Sequence, residues 1–192
     1  MPGNPFKELK TNLLAKLKGL NPNLTYHSVE HTLDVIEQSG RIASEEGVTN
    51  ERDLLLLQVA ALYHDSGFLE TYSHHEIKSC DIFLIDAMDL EFTVEEKAII
   101  QGLIMSTKIP QQPKTHMERI ICDADLDYLG RSDFFKIGDS LRKEFIYYKI
   151  VPNDEEWEKL QLKFLENHKY HTGASQRQRE PIKQQNYSKL IE

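Results

Sequence analysis

The chain has 192 residues, of which 40% are hydrophobic and 28% charged, with a formal net charge of −8. This is the size and balance of one ordinary globular domain with a sizeable core. The acidic excess excludes a general nucleic-acid binder, which needs clustered Lys and Arg to release counterions, but leaves room for a small phosphorylated ligand at a local positive site.

Pro5 opens an amphipathic stretch to about Gly19, and NPNLTY (21–26) is a loop. From about Ser28 to Glu46, Val29, Leu33, Ile36 and Ala43 lie on or near one face, which predicts a helix closed by Gly47. Asn50 caps ERDLLLLQVAALYH, apolar on most sides and so the central buried helix, and Ser66-Gly67 stops it. Ser73 is expected to cap a helix through about Met88, and Thr93 with Glu96 forms a capping box for VEEKAIIQGLIMS. The prolines of IPQQPK (109–114) bar regular helix. Helices resume near His116, through Cys122, and again from about Ser132 to Tyr148. Asn153 with Glu156 makes a further capping box for EEWEKLQLKFLENH, and the polar tail from Ser175 is expected as a surface helix. No alternating run of strand length is convincing, so the expectation is an all-α single domain. Its parts are an N-terminal helix (1–24) packing on the core, a main domain (25–150) and a helical extension (151–192).

Cys80 and Cys122 sit among apolar neighbours outside any CxxC pair, as buried hydrophobes in a reducing cytoplasm. The polar start MPGNPFKELK and the lack of an apolar run approaching the ~18 residues of a membrane span agree with that expectation.

Chemistry concentrates in three segments. His64 and Asp65 end the buried helix, where both are costly to desolvate without partners. His27 and His31 stand four apart, on one face if the helix reaches that far. Asp123, Asp125 and Asp127 alternate through CDADLDYLG beside apolar Ile121 and Cys122. Carboxylates near a core repel unless a cation or proton joins them. An EF-hand is excluded, because Tyr128 and Phe134 stand where its Gly and Glu belong. The residues alone leave two readings open: a mixed N/O metal site, or a hydrogen-bonded core histidine with a solvated acidic turn.

YHSVEHTLDV, ALYHDSGF and ICDADLDYLG resemble, in order and context, the motifs of the HD-domain superfamily of metal-dependent phosphohydrolases, over roughly residues 25–145. The resemblance implies an all-α fold and His31, His64, Asp65 and Asp125 as metal ligands. Asp125 is chosen because the family's last motif is Ala-Asp before an aliphatic residue, here Ala124-Asp125-Leu126. One divalent ion is expected: manganese, iron, cobalt, zinc or magnesium. Two imidazoles with two carboxylates suit the transition metals better than calcium.

Binuclear members carry a further His near the end of the next helix, and LIMSTKIP has none. His75, which the resemblance places beside the site, is then expected as proton donor to the leaving group, with Asp65 also accepting a proton from the attacking water. Alarmone hydrolases of the superfamily carry Glu-Asp after the HD pair; Phe68-Leu69 stands here, which points away from alarmones. Lys108 and Arg131 are the candidate phosphate partners, and Tyr26 and His27 the candidates for the pocket mouth. Tyr63 is either core or partner to a ligand carboxylate. Trp157, Leu160, Phe164 and Leu165 form an apolar stripe expected to pack as structure, in a segment able to cover the pocket or mediate a homodimer. His168 and His171 are a poor metal pair. The expected activity is hydrolysis of a small-molecule phosphoester, a nucleotide being one candidate. The alternatives are an iron-dependent oxygenase and a metal-retaining regulatory module. No nucleic-acid or membrane partner is expected.

Overall fold

Helix caps set most of the element boundaries. The computed structural model describes residues 5–191, which form helices with no strand among them. The predicted segments at 1–24 and 151–192 therefore extend, at residues 1–4 and 192, outside the described residues. Helix α1 spans Pro5–Leu17, α2 Val29–Glu45, α3 Glu51–Tyr63, α4 His75–Asp86 and α5 Val94–Ser106. Then come α6 (His116–Asp125), α7 (Phe134–Tyr147), α8 (Asp154–Asn167), α9 (Gly173–Gln178) and α10 (Glu180–Ile191). Short 3-10 turns at Ser66–Leu69 and Asp127–Gly130 follow α3 and α6.

The Ser28 side chain accepts from the His31 N–H to start α2, and Gly47 beyond its end takes φ +75°, the left-handed conformation glycine adopts without cost. Asn50 accepts from the Arg52 and Asp53 N–H groups to start α3. Thr93 with Glu96 closes a full capping box, and so does Thr115 with Glu118, which sequence reasoning passed over. Asn153 caps α8 by accepting from Glu156 N–H. Ser73 does not cap α4: that position is His74, in the left-handed region at φ 57° and with no side-chain cap bond.

Helix α3 is the central element, packed against α1, α2 and α5. Its residues Leu57, Val59, Ala60 and Tyr63 are wholly buried. Truncating Leu57 to Ala removes packed atoms that close neighbours cannot replace, at about 2–5 kcal/mol. Leu9, Leu13 and Leu17 bring α1 onto the same core. A second cluster joins Tyr26, Tyr128, Leu129, Phe134, Leu165 and Tyr170, linking the turn after α6 to α7, α8 and the tail.

The tail is a surface helix, as expected, but one face of it is docked. Lys183 and Asn186 of α10 are 1% and 3% exposed. The Asn186 amide donates to the Leu129 and Arg131 carbonyls, both at 3.0 Å. Lys183 Nζ donates to the His168 carbonyl and pairs with Glu180 at 2.9 Å. Buried polar groups need such partners, and here the backbone of another segment supplies them. Helix α10 lies so close to the turn after α6 that a Cβ on Gly130 would meet the Arg179 carbonyl oxygen at 2.4 Å.

Candidate metal centre

The last residues of α3 and α6 and the first turn of α2 meet at one point. His31 Nε2 lies 3.3 Å from Asp65 Oδ2 and 3.2 Å from Asp125 Oδ1. His64 Nε2 lies 3.1 Å from Asp65 Oδ2, 3.6 Å from Asp125 Oδ1 and 3.3 Å from His31 Nε2. His31, His64 and Asp65 have the spacing of a metal-ligand group, alone among the described residues.

Two observations fit a cation there. His64 Nδ1 is 2.8 Å from the Ala61 carbonyl oxygen. An N–H on Nδ1 satisfies that carbonyl, which turns the Nε2 lone pair to the cluster, the arrangement that orients ligating imidazoles. The buried Asp65 Oδ2 has no hydrogen-bond partner of its own. An acceptor oxygen and an imidazole lone pair facing one another need a shared positive charge.

Electrostatics states the same demand in protons. Burial pulls the His31 pKa down, but the Asp125 and Asp65 carboxylates outweigh it and hold it at about 9. Burial likewise opposes charge on His64, and the Asp65 charge overcomes it and raises the pKa. For Asp65, burial is outweighed by the His64 charge and by its other imidazole neighbours, so the pKa falls. Asp125 is held at about 2, burial being overcome by bonds from His31 and His64.

The three aspartates have three separate tasks. Asp123 accepts from His171 N–H and Thr172 N–H, each at 2.8 Å, and from the Thr172 hydroxyl at 2.7 Å. It thus anchors the tail. Asp127, wholly buried, accepts from Arg41 Nη2 at 2.7 Å and Arg179 Nε at 2.8 Å. Asp125 faces the imidazoles.

A second layer sits on the exposed side of Asp65. His75 Nε2 is 3.2 Å from Asp65 Oδ1. Its ring stacks on Phe68 at 4.0 Å between centroids, and Phe68 stacks in turn on His27 at 4.2 Å. Burial lowers the His75 pKa, but the bond to Asp65 outweighs it and the net shift is upward. Gly67 makes the placement possible, since a Cβ there would overlap the His75 carbonyl oxygen at 1.9 Å. Ser79 Oγ ties the two segments, accepting from Gly67 N–H at 2.8 Å and donating to the His64 carbonyl at 2.7 Å.

Sequence reasoning missed Glu144. This wholly buried carboxylate of α7 accepts from Tyr26 N–H at 2.9 Å, His27 N–H at 3.1 Å and the Tyr72 hydroxyl at 3.0 Å, and it pairs with His27 Nδ1. Burial favours its neutral form, yet the bond from His27 prevails and the pKa is lowered. No local pattern in LRKEFIYYK marks it.

Asp65, Asp125, His75 and His27 border a cavity of about 520 Å³. Lys108 lines it and is exposed, with no ion-pair partner among the described residues. Arg131, the other candidate phosphate partner, is elsewhere. It borders a separate cleft behind His31, and its guanidinium is taken by Asp34 and Asp133, each at 2.7 Å. Tyr63 is core, its hydroxyl donating to Asp86 at 3.0 Å. Trp157, Leu160, Phe164 and Leu165 do pack on the domain, but they also wall the cavity. His168 lies beside Lys183 with its pKa driven down to about 3, chiefly by burial and then by that lysine's charge. Glu70 is exposed near Lys78.

No helix among the described residues is long and apolar enough to cross a membrane. No curated protein and no solved structure matches the chain. A family model described as HD domain matches residues 28–127, from the cap of α2 to the turn after α6. That span covers more than half the chain and contains the His, the His-Asp pair and the Asp that the fold gathers. The chain belongs to the HD-domain family, whose members bind divalent metals and are mostly metal-dependent hydrolases.

Proposed function

We propose that the protein is a metal-dependent phosphohydrolase that cleaves a small-molecule phosphoester with water. One observation carries the reading: two imidazoles and two carboxylates from three helix ends converge, and the two carboxylates, Asp65 and Asp125, also line the cavity that holds His75 and Lys108. His31, His64, Asp65 and Asp125 would hold one divalent ion of manganese, iron, cobalt, zinc or magnesium. When bound, such an ion lowers the pKa of water and draws charge from a phosphoryl oxygen.

The protein's own groups supply the rest. Asp65 Oδ2 faces the imidazole cluster while its Oδ1 faces His75, so one carboxylate orients both the ligand set and the acid. The Asp65 charge keeps His75 protonated to higher pH than an ordinary imidazole, which suits it to protonate the leaving oxygen. Phe68 fixes the ring plane. Glu144 fixes His27 at the opposite face of the same stack, where it borders the substrate space. Lys108 offers its ammonium to a phosphate at the cavity edge.

The test is metal content by mass spectrometry with hydrolysis of a phosphoester panel in added manganese. Asp65→Ala should strip the metal and abolish turnover. Full activity with intact metal content in that variant would overturn the assignment.

A further inference from the structure

The cavity has two unlike ends. Its polar end holds Asp65, Asp125, His75, Glu76, Thr107 and Lys108. Its other end is built by α7, α8 and the turn after α6, with Leu129, Leu141, Phe145, Trp157, Phe164 and Leu165. Among the lining residues that α7 and α8 contribute, Gln161 alone is polar. The Tyr72 hydroxyl, which also borders the space, is already given to Glu144. Lys108 is the one lysine or arginine among the residues that line the cavity.

This distribution discriminates between substrates. A nucleoside carries several donors and acceptors on base and ribose. Placed against α7 and α8, most would lose water and find no partner, which is unfavourable. A polyphosphate needs several cations, and a single lysine beside one ion suits a single phosphate group. A hydrocarbon body meets the opposite balance, since it gains by leaving water for an apolar wall. The volume of about 520 Å³ lies within the ~300–1,000 Å³ of small-molecule sites.

We infer that the substrate is a phosphate monoester of an apolar alcohol or phenol, with its phosphate at the Asp65–His75–Lys108 end and its hydrocarbon body against α7 and α8. The inference rests on the phosphohydrolase reading. The ester P–O bond breaks with its electron pair on the departing oxygen, which takes the proton of His75, while water adds its hydroxyl to phosphorus and its remaining proton restores the His75 imidazolium. The products are inorganic phosphate and the alcohol.

Calorimetry on the full-length, manganese-loaded protein tests binding with octylphosphonate, methylphosphonate and 5′-AMP. Hydrolysis of 1-naphthyl phosphate and octyl phosphate is compared with that of 5′-AMP and glycerol phosphate. Octylphosphonate should bind at least about 100-fold tighter than methylphosphonate, given the usual gain per buried methylene, and 5′-AMP no tighter than methylphosphonate. Leu160→Gln, at a half-exposed position of the apolar wall that tolerates a polar side chain, should shrink the octyl-to-methyl ratio about tenfold. Phe164→Gln should do the same. Equal binding of the two phosphonates, or preferred binding and cleavage of 5′-AMP, would overturn the inference and leave the phosphohydrolase reading intact. Tight octylphosphonate binding with no ester cleaved would uphold the chamber's ligand class and overturn the hydrolytic reading instead.

Discussion

The cavity's two walls differ in origin as well as in chemistry. The polar wall comes from the ends of α3, α5 and α6 and the start of α4, inside the span that matches the HD family. It consists of groups that are costly to bury and tolerable only as an ensemble. The apolar wall comes largely from α7 and α8, beyond residue 127 and outside the matched span. Each of its residues is individually unremarkable. On the proposed function, reactivity and selectivity fall to separate stretches of chain, so one can be altered without rebuilding the other.

The sharpest way to break that division is Asp125→Asn. It keeps the shape but removes a ligand charge. Loss of several kcal/mol of charge stabilisation means a fall in turnover of about 1,000-fold or more, with weakened metal binding. A stable, metal-free, inactive variant is the expected result, read from circular dichroism, metal analysis and kinetics.

Next in size is a pH effect confined to the polar wall. His31 has a folded pKa of about 9, above its ordinary 6.5. Its contribution to metal-free stability is complete below about pH 6.5 and is lost as pH rises through about 9, on the order of 1–3 kcal/mol. Metal must displace these protons, so the stabilisation it gives should grow over the same interval. Denaturant titrations with and without manganese at pH 6 and pH 9 check both signs.

Asp123→Ala tests whether neighbouring carboxylates are separable. It leaves the buried Thr172 donors unpaired and should cost about 1–3 kcal/mol of stability, with activity per folded molecule little changed. The smallest effect belongs to Lys108→Met at the junction of the two walls. It should raise KM for phosphoesters by about tenfold while metal content stays unchanged, the loss of one partly solvated charge-assisted contact. A larger effect from Arg131→Met would reverse the two residues' assignments.

How much of this was legible in the sequence follows the range of each interaction. The helices and most caps were readable because their determinants are local, as at Asn50 and Thr93. The meeting of His31, His64, Asp65 and Asp125 was readable because His64 and Asp65 interrupt an apolar helix, and the resemblance selected Asp125 among three aspartates. Glu144 was invisible because its partners lie more than 70 residues away. Arg131 misled for the same reason, since Asp34 stands 97 residues earlier. The apolar stripe of α8 was visible, but whether it faces solid core or open space depends on how α7 and α8 diverge. The tail's composition showed its solvated face, Gln184 and Gln185, but not the docked one, where Lys183 and Asn186 donate to distant carbonyls.

That docking of the tail has a consequence for the order of events during synthesis. Asp123 and Asp127 flank Asp125, and their partners include Thr172 and Arg179, with Asn186 holding the carbonyls that follow. A ribosome adding about 5–20 residues per second needs several seconds to reach them after the aspartates emerge. Throughout that interval Asp127 has Arg41 as a partner, while Asp123 lacks its Thr172 donors. Helices α9 and α10 bring the missing donors, so the geometry of that turn is set only after they have been made.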